Sequence, residues 1–117
     1  MFVAVYGTLK KGHINNPGHL DGFEPQHARF VDIPFRMYEG AEYPMIVPSS
    51  DIHPIFVEVF EVDAETLERL DYLEAPYAYH RETIYIAEFG REVAIYVYDE
   101  PEPPSEFNLV KLGKWPS

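Results

Sequence analysis

Glu74 stands four residues after Leu70 and seven after Leu67, so on a helix the three side chains share one narrow face. A carboxyl on an apolar stripe loses hydration. Burial disfavours its charged form, raises its pKa towards neutrality and suits it to carry protons as a general acid/base. The alternative is that this is simply the last residue of a frayed helix, reaching solvent. A second feature lies near the start of the chain. Tyr6-Gly7-Thr8-Leu9 follows an apolar run, and a glycine there lets the chain turn sharply and a ligand approach the backbone. Consecutive N–H groups in such a turn form a concavity for a carboxylate or an oxyanion, although an ordinary turn has the same composition.

Further candidates follow the helix. In Tyr79-His80-Arg81 an extended chain puts Tyr79 and Arg81 on one face. Tyr79 can donate a hydrogen bond to a substrate. Arg81 can anchor a carboxylate or the Glu74 region, or it can serve structurally by tying the helix end to the sheet. Tyr96 and Tyr98 share a face of the last long strand and can line a pocket or act as filler. His13, His19, His27, His53 and His80 are scattered without ligand spacing, so no metal site is expected. No serine sits in a nucleophile elbow, the glycines make no nucleotide fingerprint, and there is no cysteine.

These residues need elements to position them. Phe2–Tyr6 reads as a short buried strand, and Gly7–Leu20 as a loop with at most one helical turn. Residues 27–38 alternate raggedly, with Pro34 marking an edge or bulge. Tyr43–Val47 is a short extended run closed by Pro48-Ser49-Ser50-Asp51, and Ile55–Val62 is the strongest strand. Asp63 is placed to cap a helix over Ala64–Glu74, with Glu65 in its first turn and Ala75-Pro76 as its stop. Tyr79–Glu88 and Glu92–Asp99 form a hairpin across Phe89-Gly90-Arg91. Residues 100–106 read as a Pro-rich linker, after which Leu109, Leu112 and Trp115 pack back onto the body. Six strands and one main helix predict a small α+β domain over residues 1–117, closed or nearly closed like a barrel.

Composition bounds the partners. A hydrophobic fraction of 46%, with nine Tyr and eight Phe, predicts a compact core in a chain of 117 residues. The net charge of −11, with only Lys10-Lys11 adjacent among the basic residues, argues against nucleic acid and anionic membranes. No run has the length of a transmembrane helix and Met1–Tyr6 lacks a signal-peptide pattern, so a soluble cytoplasmic protein is expected. A small substrate in a shielded pocket fits better, because local donors there override the overall charge.

The chain resembles the gamma-glutamylcyclotransferase-like family, and within it the gamma-glutamylamine cyclotransferase branch. The matching segments are Val5-Tyr6-Gly7-Thr8-Leu9-Lys10-Lys11-Gly12, Tyr43-Pro44, Phe60-Glu61-Val62-Asp63, Leu67, and Leu70-Asp71-Tyr72-Leu73-Glu74. Tyr79-x-Arg81 and Tyr96-Val97-Tyr98 follow in order. The resemblance implies a compact six-stranded barrel-like α+β fold with a pocket at one end. It implies cyclisation of a gamma-glutamyl amide to 5-oxoproline with release of the free amine. It makes Glu74 the acid/base, and makes Tyr6, Gly7, Thr8 and Leu9 the substrate loop. It requires no metal or organic cofactor. Val57 and Ala75 stand where the family usually has glycine, which bears on pocket shape and substrate identity. The alternatives are a non-catalytic binder of a small amino acid or peptide in the same pocket, and an interaction module using the acidic surface and Pro-rich tail. Neither the leaving amine nor the oligomeric state is written in the sequence.

Overall fold

A computed structural model describes residues 1–117, except for the side chain of Pro17. Its centre is β1 (Phe2–Val5), which pairs antiparallel with β3 (Pro44–Glu61) and parallel with β5 (Arg91–Tyr98). With β2 (His27–Glu39), β4 (Tyr79–Ile86) and β6 (Asn108–Leu109), the six strands run in the order β4-β5-β1-β3-β2-β6. All pairings except β1–β5 are antiparallel, so the sheet is mixed. It curls into a half-barrel. The period-two rule is visible in β1, where Val3 and Val5 pack towards the helix while Ala4 and the following Tyr6 join the inner core.

The main helix, α2 (Ala64–Glu74), forms where the sequence places it. Asp63 keeps an extended backbone, and its carboxylate accepts the Thr66 N–H at 2.7 Å. Glu65 lies in the first turn, at the positive end of the helix. Leu67 and Leu70 are fully buried, whereas Tyr72 on the opposite side is exposed. Pro76 disfavours the α conformation at the residue before it, yet Ala75 stays helical and the chain continues as a 3-10 turn over Ala75–Tyr77. Ala78, at φ 62, then redirects it into β4.

Three expectations need correction. Pro48–Asp51 does not end a strand, because β3 runs through it. In the β2–β3 ladder, residues 49–52 stand opposite Pro34 alone, between the Ile33–His53 and Phe35–Pro48 pairs. The turn-forming residues therefore make a bulge, which accommodates a proline that cannot donate to the ladder. The sixth strand is instead β6, on the far side of β2. In the C-terminal segment Leu112 is 80% exposed and Leu109 is 42% exposed, while Val110 and Trp115 make the packing contacts. That segment is fixed by its backbone: the Val110 N–H donates to the Met37 carbonyl, and the Gly113 carbonyl accepts from the Phe56 N–H, both at 2.8 Å. Gly7–Leu20 is loop with one short helix, α1 (Asn16–His19). Among the described residues, no helix is long and apolar enough to cross a membrane.

Candidate active site

A cavity of about 470 Å³ opens where the turn after β1, the end of α2 and the starts of β3 and β4 converge. Gly7, Thr8, Leu9, Glu74, Tyr79 and Pro44 are among its lining. The two segments singled out in the sequence, more than sixty residues apart, thus meet in one space. Arg81 and Tyr98 do not line it. Arg81 turns to α2, with Nε 3.4 Å from Asp71 Oδ1, so it takes the structural role of tying helix to sheet. Tyr98, the cross-strand partner of Tyr79, packs edge-on against its ring, with centroids 6.5 Å apart.

Glu74 continues the Leu67–Leu70 stripe at the last turn of α2, where the stripe meets the cavity rather than the core. Among the described residues, its carboxylate has no hydrogen-bond or ion-pair partner. Burial alone pushes its pKa up to about 7. No cation offsets this, because the nearby Arg81 is engaged by Asp71.

Opposite lies the β1 turn. The Gly7 carbonyl accepts from the Lys10 N–H, the Thr8 carbonyl from the Asn15 N–H, and the Leu9 carbonyl from Asn16 Nδ2. Asn15 Nδ2 also donates to Thr8 Oγ1 at 2.9 Å. These bonds use the carbonyls of the turn. Among the described residues, none accepts from the N–H groups of Gly7, Thr8 or Leu9, so three successive donors stay unspent beside the cavity. Gly7 is required by closeness: a Cβ there would lie 2.9 Å from both Cγ and Cδ of Pro44.

Tyrosines complete the walls. Tyr79 donates its hydroxyl to the Pro44 carbonyl at 2.6 Å, and Tyr6 donates to the Tyr96 carbonyl at 2.7 Å. Burial raises both phenols well above their ordinary range, and the Glu74 charge adds to this, so both stay protonated. Tyr96, with its own hydroxyl on Asp71 Oδ1 at 2.7 Å, lines the cavity where Tyr98 does not. Asn15 also lines it, without having stood out in the sequence as more than a loop residue. Neither replaced glycine carries a backbone demand: Ala75 is helical at φ −55, and Val57 is buried in the inner core away from the cavity. Among the described residues, no three His, Asp or Glu side chains converge to hold a metal ion.

A carboxyl near neutral pKa that shares one cavity with a turn whose N–H groups are unspent can move a proton on a bound small molecule. Comparison with known proteins agrees at the level of family. The model for "Gamma-glutamyl cyclotransferase, AIG2-like" proteins matches residues 3–117. A protein of Methanocaldococcus jannaschii bearing the name "Putative gamma-glutamylcyclotransferase" is 34% identical over 107 residues, covering 86% of this chain and 85% of its own. One of the same name from Vibrio cholerae is 34% identical over 119 residues, covering 97% of this chain and 93% of its own. The crystal structure of an uncharacterised protein from Pyrococcus horikoshii superposes with a TM-score of 0.80 at 26% identity, over 98% of this chain and 89% of that one. The chain therefore belongs to the AIG2-like gamma-glutamyl cyclotransferase family.

Proposed function

We propose that this chain cyclises the gamma-glutamyl group of a small amide or amine conjugate to 5-oxoproline and releases the free amine, with Glu74 as the acid/base. One observation carries the reading: an unpartnered carboxyl, lifted to about 7 by burial, shares a cavity with three unspent N–H groups.

The chemistry balances on these groups. The substrate's α-ammonium cannot attack until it loses a proton, and it holds that proton far more tightly than an ordinary carboxylate would. Lifting the carboxyl from 4.5 to about 7 lowers the cost of the transfer by ~3.4 kcal/mol. The freed amine attacks the gamma-carbonyl and closes a five-membered ring. Glu74 passes the two protons that this nitrogen sheds, one before attack and one as the tetrahedral intermediate collapses, to the departing nitrogen, which leaves as the ammonium when the amide C–N bond breaks. Because the nucleophile is tethered to its target, holding the chain curled supplies much of the acceleration. The N–H groups of Gly7, Thr8 and Leu9 supply the positive end that the α-carboxylate and the developing oxyanion both need. Tyr6 and Tyr79, held protonated, close the walls around Glu74.

The test is a panel of gamma-glutamyl amides, scored by 5-oxoproline and free amine released in equal amounts. Glu74→Gln should lose at least about a hundredfold in turnover while binding the substrate within a few-fold. Saturable binding without 5-oxoproline would make the protein a binder. Turnover by Glu74→Gln within about tenfold of wild type, ~1.4 kcal/mol of barrier, would remove Glu74 from the mechanism.

A further inference from the structure

The cavity of Glu74 carries charge of one sign. Among the described residues its lining holds two carboxylates, Glu74 and Glu42, and no Lys, Arg or His. Glu42 sits in the turn between β2 and β3 and, among the described residues, has no ion-pair partner. Beside it the rings of Tyr43, Tyr77 and Tyr79 form a corner. Tyr77 and Tyr79 have centroids 6.4 Å apart and planes 29° from parallel, while Tyr43 stands across them at 68° and 88°. Tyr77 is 44% exposed, so the corner lies at the solvent end of the cavity. The Tyr43 phenol is held above its ordinary range by burial first, then by the neighbouring tyrosines and by the charges of Glu106 and Glu42. Both carboxylates therefore act on this corner. Ring faces are themselves negative and attract a cation within about 6 Å of their centroids.

We propose that the amine released from this cavity is an aliphatic diamine or polyamine, whose second, cationic end is received by Glu42 and the rings of Tyr43 and Tyr77. The inference rests on the gamma-glutamyl reading above. In that reading the substrate's α-carboxylate takes the N–H groups of Gly7, Thr8 and Leu9, the unspent donors of the wall. A second carboxylate, as on an amino-acid leaving group, would meet no cationic side chain and would face Glu42. A second ammonium meets ring faces and a carboxylate, and the apolar side chains of Ile14 and Leu73 line the same space for its methylenes. Overall charge acts in the same direction. The gamma-glutamyl conjugate of a diamine has one net positive charge, whereas that of an amino acid has one net negative charge. The field of a chain with net charge −11 draws in the first and holds off the second.

The probes are three gamma-glutamyl conjugates of matched length: of a linear diamine, of the plain alkylamine and of an ω-amino acid. Wild-type kcat/KM for 5-oxoproline release should fall in that order, by about tenfold at each step. Glu42→Gln should shrink the diamine-to-alkylamine ratio by about fivefold or more, and Tyr77→Leu, which keeps apolar bulk without a ring, should shrink it as well. The ratio should also shrink as salt rises towards about 0.5 M, which a preference set by shape would not do. A wild-type ratio near one, a ratio that Glu42→Gln leaves in place, or equal turnover of the amino-acid conjugate overturns the proposal while the cyclisation stands. If wild type releases 5-oxoproline from none of the three, calorimetric Kd values for the same conjugates read the preference without chemistry. The same order would support the charge preference and reject the reaction, and equal or absent binding would overturn both. The wild-type ratios and their salt dependence decide the matter if a variant does not fold.

Discussion

Glu74→Gln should make the protein inactive and, above neutral pH, more stable. In the folded state the carboxyl titrates at about 7 rather than 4.5 because it is buried without a partner. Between those values the native state holds a proton that the unfolded chain has released. The stability this group contributes is therefore fully present below 4.5 and is lost as pH rises through about 7. At ~1.4 kcal/mol per pH unit the ceiling is ~3 kcal/mol, and water at the cavity mouth brings it to ~2 kcal/mol. Glutamine keeps the volume and removes the charge, but burying its amide offsets up to ~1 kcal/mol. The variant should be ~1–2 kcal/mol more stable at about pH 8, equivalent to roughly 4–8 °C in Tm, and level with wild type or up to ~1 kcal/mol less stable near pH 4. Urea unfolding across that range measures the difference, with the slope m unchanged. A glutamine variant less stable than wild type at about pH 8 would show that the carboxylate is ionised against a cation, and the argument from burial would fail.

Three other outcomes follow from the same geometry. The pH profile of kcat/KM for 5-oxoproline release should rise through about 7 and fall tenfold per pH unit below it, since the base must be ionised; a profile flat between about pH 5 and 8 would exclude Glu74 as that base. Gly7→Val should abolish turnover and cost ~1–3 kcal/mol, because its Cβ meets the Pro44 ring at 2.9 Å, while exposed Lys11→Ala should leave kcat within about twofold; equal kinetics in two folded variants would sink the cradle. Arg81→Ala, which removes a half-exposed pair to Asp71 outside the cavity, should change stability by less than ~1 kcal/mol and KM by less than about twofold, and a large KM rise would put Arg81 in contact with substrate.

The parts of the site that were legible in the sequence are those governed by local rules. Helical periodicity alone aligns Glu74 with Leu67 and Leu70, and Asp63 announces α2 because a cap acts over three residues. Gly7 is visible as a break after an apolar run, but its true reason, the Pro44 ring, lies across the sheet. Arg81 and Tyr98 show the limit of alternation. It assigns a face correctly but not an occupant, and Asp71 draws Arg81 away from Glu74. Pro48–Asp51 carries the composition of a turn and forms a bulge, because only the partner strand decides whether such residues end a ladder or bow it outward. Leu112 and Val110 are both good core residues by type. Which one is buried depends on the Val110 bond to Met37, a contact that no spacing encodes.

The bond from Tyr79 to the Pro44 carbonyl joins the edge strand β4 to the start of β3, past β5 and β1. Around it, the Tyr43 ring lies 5.1 Å from Tyr77, 6.4 Å from Tyr79 and 5.5 Å from Phe107. On that side the half-barrel is shut by side chains, not by a ladder. A barrel closed by main-chain pairing has a bore fixed by strand number and stagger, so its diameter changes only with its topology. Here the aperture is a matter of ring size. Trimming Tyr43 or Tyr77 would widen it without breaking one β-ladder hydrogen bond, leaving Glu74 and the Gly7–Leu9 donors on their own supports. Mouth and interior can thus vary independently, and one backbone of this kind can admit ligands of different girth through single substitutions.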